Sequence, residues 1–356
     1  MTDDERAGRT GVTYRLLGRS GLRVSPLGLG TMTFGNDRGW GADVHTARAI
    51  YTAYVAADGN FLDTADGYAG GRSEEWLGRF MAEMGNRDAM VVATKFTLNG
   101  RAGDPNAGGN GRKNIHRALE GSLRRLGTDY IDLYWLHTWD GLTPLEEVLE
   151  TLDCLVKSGK VRYVGLSNVP AWYLARYQTL AEGRGLARVN AVQLEYSLVE
   201  RSIEREHLPA AQELGVGLCC WSPLGSGFLS GKYSRDDGSG RLSVMSGSRI
   251  PMFAKRTERN FGILDVLREV ARELGRHPAQ VALNWVVNRS GVTAALVGAT
   301  TQEQSDENLG SLEFVIPPEL VARLERASHP EDIYPYQTFA DPELRTQLAG
   351  GAKIIP

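Results

Sequence analysis

Four side chains in this sequence could carry acid–base chemistry, and each stands at or just beyond a short apolar run. The stretch N-F-L-D-T-A-D-G-Y sets Asp63 directly after Phe61 and Leu62, with Tyr68 in the loop beyond. Lys95 closes M-V-V-A-T-K, and His137 closes I-D-L-Y-W-L-H. A tyrosine with a pKa of about 10 is a poor acid at neutral pH, but a nearby lysine cation favours the phenolate and lowers that value. Asp63 can hold the lysine in an ion pair, and His137 can donate a hydrogen bond to a carbonyl oxygen. Such a set can protonate a developing alkoxide. The reaction it suggests is carbonyl reduction, in which a hydride reaches carbon while Tyr68 supplies a proton to oxygen. Taken singly, each residue has a plainer role: Asp63 a cap, Lys95 and His137 solvated strand ends, Tyr68 a packed aromatic. Asp66, in the same stretch, is a loop residue without an assigned role.

The set works only if separate runs end at one place. Apolar runs at 27–30, 61–63, 90–93, 131–136, 161–166, 191–192, 216–220 and 293–297 read as strands, with amphipathic helical segments between them. Strands apolar throughout and separated by helices mean a parallel sheet covered on both faces. About eight of them is the number a closed (β/α)8 TIM barrel requires, and its C-terminal strand ends share one face, which holds the site. The rival is an open doubly wound sheet, but Gly28-Leu29-Gly30-Thr31-Met32 lacks the third glycine of a dinucleotide fingerprint. The expectation is one domain over 1–356, with the barrel core at about 13–328 and a tail at 329–356.

Ahead of the barrel, 13–17 and 22–24 read as an N-terminal β-hairpin around Gly18-Arg19-Ser20-Gly21. Asp43 and Ser73 read as N-caps of the first two helices, and a later helix is expected at 204–214. Long loops on the C-terminal face are expected at 33–41, 100–112 and 225–256. The last of these, with Lys232, Arg235 and Arg241, is either a lid or a disordered insert. The tail reads as helical after Pro317 and then irregular, folding back over one end of the barrel.

Composition removes several classes. The 40 basic and 43 acidic residues are well mixed, and the net charge of -3 gives no reason to expect nucleic acid or an anionic membrane as partner. No apolar stretch approaches the roughly 20 residues of a membrane helix, and residues 1–10 are polar rather than a signal sequence. Three cysteines without a spaced framework point to a reducing compartment, so the chain reads as cytoplasmic. Cys219 and Cys220, adjacent on a strand, should face opposite ways and serve packing. No metal site is expected: there is no H-E-x-x-H, and His45, His116, His207, His277 and His329 read as surface or packing residues. No G-x-S-x-G elbow marks a serine hydrolase. Oligomeric state is not legible.

Beyond these patterns, the chain resembles the aldo-keto reductases over nearly its whole length. The blocks that carry the resemblance are L-R-V-S-P-L-G-L-G-T, D-T-A-D-G-Y with G-R-S-E-E-W-L-G, V-A-T-K, D-Y-I-D-L-Y-W-L-H, G-K-V-R-Y-V-G-L-S-N and W-S-P-L-G-S-G. The similarity is greatest to the branch of aryl-alcohol dehydrogenase-like and potassium-channel β-subunit-like proteins. The resemblance implies that Asp63, Tyr68, Lys95 and His137 form the catalytic tetrad. It implies that Ser167, Asn168 and Gln193 hydrogen-bond a nicotinamide carboxamide, that Trp221 stacks on the nicotinamide ring, and that Ser222, Leu224, Ser226 and Lys232 clasp the pyrophosphate. Relatives carry Lys or Arg near the 2′-phosphate, where this chain has Gly298, Thr300, Thr301 and Gln304, with Asn308 beyond. An anion is still favoured at that helix start, so NADPH is the expected cofactor and NADH the alternative. Phe34, Trp40, Trp139 and Phe228 are the expected substrate rim, which suits an apolar or aromatic carbonyl. A keto-sugar reductase and a cofactor-binding regulatory subunit remain as alternatives.

Overall fold

The computed structural model describes residues 13–36, 39–98, 100–235 and 254–352. After a two-stranded antiparallel hairpin, β1 (Arg15–Leu16) and β2 (Arg23–Val24), come eight strands: β3 (Leu27–Gly30), β4 (Phe61–Asp63), β5 (Val91–Phe96), β6 (Ile131–Leu136), β7 (Val161–Ser167), β8 (Val189–Glu195), β9 (Gly217–Trp221) and β10 (Val292–Val297). They pair in parallel in chain order, and β10 closes on β3. The chain is therefore a (β/α)8 TIM barrel, with helices between successive strands.

Alternation along the strands builds two cores. Phe61, Val91, Ala93, Leu133, Trp135, Ala191, Cys219, Ala294 and Leu296 pack inside the barrel. Their neighbours Leu62, Val92, Tyr134, Leu136, Val192 and Cys220 face the surrounding helices. Cys219 and Cys220 thus do face opposite ways, as the two-residue period of a strand demands. The interior is filled tightly: a Cβ on Gly165 would lie 2.1 Å from Trp135 Cε3. That packing makes the barrel a solid floor rather than a pore.

The hairpin seals one end. Leu17 and Val24 are buried in the inner core, and Arg19 N–H donates to Gly215 O at 2.8 Å. Gly18 takes φ 57°, and a Cβ there would lie 2.4 Å from Asn190 O, so this turn presses directly on the starts of β8 and β9. The open end is the one where the strands finish.

Of the two expected N-caps, Asp43 and Ser73, only the first is one. Asp43 Oδ1 accepts from Thr46 N at 2.8 Å and starts the helix Val44–Ala56. Ser73 is not a cap: the helix Arg72–Met84 begins before it, and its hydroxyl is buried, donating to Thr31 O or Thr31 Oγ1 and bonded to Thr64 Oγ1. A buried tie between loops outcompetes a solvent-exposed cap there. The expected helix at 204–214 is a short turn, Ser202–Glu204, then a helix, His207–Leu214. Residues 236–253, including Arg241, lie outside the described residues. The tail, expected to be irregular, instead adds the short helices Tyr336–Ala340 and Pro342–Leu348 after Pro318–Ser328. Asp341 caps the last one, accepting from Glu343 N at 2.8 Å. Among the described residues no helix is long and apolar enough to cross a membrane.

Candidate active site

Because every second residue of a strand points inward, Asp63, Lys95, His137, Gln193 and Trp221 continue the inner rows of β4, β5, β6, β8 and β9. Above the last apolar layer these rows turn polar. Lys95, fully buried, donates from Nζ to Asp63 Oδ2 at 2.5 Å, to Thr64 O at 2.8 Å and to Tyr68 Oη at 3.3 Å. Gln193 Nε2 donates to the other Asp63 oxygen at 2.9 Å. Burial alone would depress the Lys95 ammonium, but the opposing charge of Asp63 and the hydrogen bonds to Asp63 and Tyr68 outweigh it and hold its pKa above the ordinary lysine value. Lys95 thus stays a cation at the foot of the phenol.

His137 completes the group. Its ring lies 5.9 Å from that of Tyr68 in an edge-on arrangement of 79°. Burial, with the Lys95 charge adding to it, pushes its pKa down to about 3, so the imidazole is neutral at physiological pH. Nδ1 is buried without a hydrogen-bond partner. A buried N–H lacking an acceptor is costly, which assigns the single proton to Nε2.

Tyr68 and His137 border a cavity of about 920 Å³, whose wall also takes in Asn168, Gln193, Trp221, Ser222, Leu224, Ser226, Lys232, Gly298, Thr300, Gln304 and Asn308. The expected cofactor residues therefore line one cavity, apart from Thr301, which caps the helix Gln302–Leu309, and Ser167. That side chain is buried and accepts from Asn168 Nδ2 at 3.0 Å, so it reaches the cavity only through Asn168. Asn168 also ties the ring: its Nδ2 donates to His137 O at 2.9 Å, and its Oδ1 accepts from Trp221 Nε1 at 3.1 Å. Asn168, Ser222 and Ser226 all hold positive φ without being glycine, a cost that gathers at ligand sites.

The cavity's chemistry suits a dinucleotide. Its volume is at the upper end of the roughly 300–1,000 Å³ range of small-molecule sites. Trp221 offers an aromatic face near the tetrad, Lys232 a cation along the wall, and the helix Gln302–Leu309 its N-terminus at the far end. Some donors there are already committed: Gln304 Oε1 accepts from Thr300 N and Thr300 Oγ1, both at 3.0 Å.

The substrate rim is only partly as expected. Trp40 lines the cavity and a side hollow of about 250 Å³ with Met32, Tyr68 and Ala69. Phe34 and Phe228 do not reach it, both being 0% exposed. Phe34 packs on Phe80, and Phe228 on Tyr233 and Phe261, where apolar burial stabilises the loops that carry them. Trp139 is exposed beside Trp172 and Tyr173, outside the cavity wall. Sequence reading missed Met32, Leu98 and His277. His277 is a surface residue, as expected, but one that also borders the cavity and pairs with Glu307. Its place before Pro278, at the start of the helix Pro278–Val287, was the available signal.

Asp66 turns away from the tetrad. Burial and the charge of Glu74 raise its carboxyl to about 7, against the opposing pull of Arg125 and Arg117. Glu74 itself is fully buried, accepting from Thr94 Oγ1 at 2.5 Å and Arg125 Nε at 2.6 Å.

Comparison with known proteins agrees with this geometry. The model of the Aldo/keto reductase family matches residues 26–329. An uncharacterized oxidoreductase of Bacillus subtilis (strain 168), YrpG, is 38% identical over 340 residues, spanning 93% of this chain and 98% of the relative. Norsolorinic acid reductase stcV of Emericella nidulans is 37% identical over 316 residues, 86% of this chain and 79% of the relative. A probable voltage-gated potassium channel subunit beta of Oryza sativa subsp. japonica is 36% identical over 324 residues, 88% and 95% of the two chains.

Proposed function

Because the chain belongs to the aldo/keto reductase family of oxidoreductases, we propose that it reduces an aldehyde or ketone to an alcohol with Tyr68 as the general acid. The observation that carries this reading is the Lys95 ammonium, held by Asp63 and touching the Tyr68 hydroxyl at the cavity floor. A bound reduced nicotinamide supplies the hydride. The protein's part is proton delivery and charge stabilisation. As the carbonyl oxygen gains negative charge, the Tyr68 hydroxyl gives it a proton, and the resulting phenolate is stabilised by Lys95. Neutral His137 donates from Nε2 to the same oxygen and fixes its approach. Asp63 neutralises Lys95 and does not act as a base.

NADPH is the cofactor we favour over NADH. The N-terminus of the helix Gln302–Leu309, which borders the cavity, supports an extra phosphate, since anions are stabilised at such ends. Met32, Trp40 and Ala69 around the side hollow support a small apolar or aromatic carbonyl. A hollow of about 150 Å³ holds benzene, so one substituted ring fits there. We take the enzyme to be a single cytoplasmic barrel domain.

The test is a spectrophotometric panel of aldehydes and ketones run with NADPH and NADH in parallel, for the wild type and Tyr68→Phe. Tyr68→Phe should lower kcat by about a hundredfold or more. Cofactor affinity, read by quenching of tryptophan fluorescence, should persist. Unchanged turnover in Tyr68→Phe would sink the mechanism.

A further inference from the structure

No hydrogen bond to Nδ1 holds the His137 ring in place. Its aim is left to packing against Tyr68 and to the peptide that carries it. That peptide is gripped on both sides. His137 N–H is shared between Phe96 O and Thr97 Oγ1, each at 3.2 Å, while His137 O accepts from Asn168 Nδ2 at 2.9 Å. The Thr97 hydroxyl in turn donates to Asn110 Oδ1 at 2.7 Å. Asn110 then reaches the next peptide: Nδ2 donates to Thr138 O at 3.0 Å, and its N–H to Asp140 Oδ2 at 2.8 Å.

Two further observations single out this pair. Thr97 and Asn110 are only 6% and 1% exposed, and Asn110 comes from the loop between β5 and the helix Arg112–Leu126. Thr97 takes φ 113°, an outlying conformation for a β-branched side chain. Such strain persists only where the surroundings over-determine it, and it gathers at functional sites. A further bond, Gly109 N–H to Thr97 O at 2.7 Å, holds the loop to the strained residue.

We propose that Thr97 and Asn110 are positioning residues that set the aim of the His137 imidazole and couple the loop after β5 to the acid–base site. The proposal rests on the carbonyl-reduction reading. Without the Thr97 hydroxyl Asn110 Oδ1 loses its donor and the His137 N–H keeps only Phe96 O, so the brace on the 137–138 segment loosens. Nε2 then drifts from the substrate oxygen while Tyr68 and Lys95 stay in place. Because the His137 hydrogen bond strengthens as charge develops on that oxygen, the loss falls on kcat rather than KM.

The test compares Thr97→Val, which keeps the branching and removes the hydroxyl, with Thr97→Ser, which keeps the hydroxyl. With an aromatic aldehyde and saturating NADPH, Thr97→Val should lose about tenfold or more in kcat, with Thr97→Ser within about threefold of wild type. KM, Tm and cofactor affinity should barely move. In a His137→Ala background Thr97→Val should add nothing, since a residue acting through His137 has no effect without it. Independently of turnover, the His137 Hε1 resonance of the substrate-free protein should shift in Thr97→Val and not in Thr97→Ser. An unmoved resonance overturns the proposal. So does a kcat loss that recurs in full without His137, or one that tracks Tm and cofactor affinity. A shifted resonance in a protein that reduces no carbonyl keeps the positioning role and removes the reductase reading.

Discussion

Acidification from pH 7 to 4 should destabilise this protein through His137 in particular. The native pKa of that imidazole is about 3, against 6.5 for a free histidine, so the folded value is depressed. Between those values the unfolded chain binds a proton that the native state refuses, and stability therefore rises with pH through the window. The contribution is fully present above 6.5 and is lost as pH falls toward 3. A difference of about 3.5 pKa units at 1.36 kcal/mol each sets a ceiling of about 5 kcal/mol. The ring borders the cavity, where water returns part of its lost hydration, so about half of that, roughly 2–3 kcal/mol, is expected. His137→Gln keeps a polar donor but cannot titrate. Urea unfolding at pH 7, 6, 5 and 4 should show the wild type losing stability faster than His137→Gln. The His137 Hε1 resonance should titrate far below the free-histidine value of 6.5. A native pKa of 6 or above would refute the reasoning, and His137 would then enter the reaction as a cation able to give up its proton.

Asp66 runs the other way. Its native pKa of about 7 lies above the ordinary 3.8, so its stabilising effect belongs to low pH and is lost as pH rises from about 4 to about 7. Asp66→Asn should therefore raise Tm relative to wild type at pH 8 and much less at pH 5, with about 4 kcal/mol as the ceiling. Equal effects at both pH values would remove Asp66 as the titrating group. Phe228→Ala should cost about 3–5 kcal/mol of stability, because it empties a fully buried aromatic site, while leaving KM for small aromatic aldehydes unchanged. A raised KM with an unaltered urea midpoint would return Phe228 to the substrate rim.

The sequence by itself determined the barrel and the identity of its polar residues. Alternating apolar strands and amphipathic helices leave few architectures, and the end of each strand is marked where an apolar run gives way to Asp63, Lys95 or His137. Those residues could be read because a strand has a fixed period of two, so their distance from the buried rows follows from counting. Loops have no such period. Only the tertiary structure decided that Phe34 and Phe228 turn into the core while Trp40 borders the cavity, since an aromatic side chain in an irregular segment points wherever its neighbours leave room. The same is true of Ser73, which the residue type marked as a cap and the packing of Thr31 and Thr64 made a buried tie. Thr97 and Asn110, thirteen residues apart, gave no signal at all. Their bond to the His137 peptide exists only because β5 and β6 lie side by side, with the loop after β5 folded back across both strand ends.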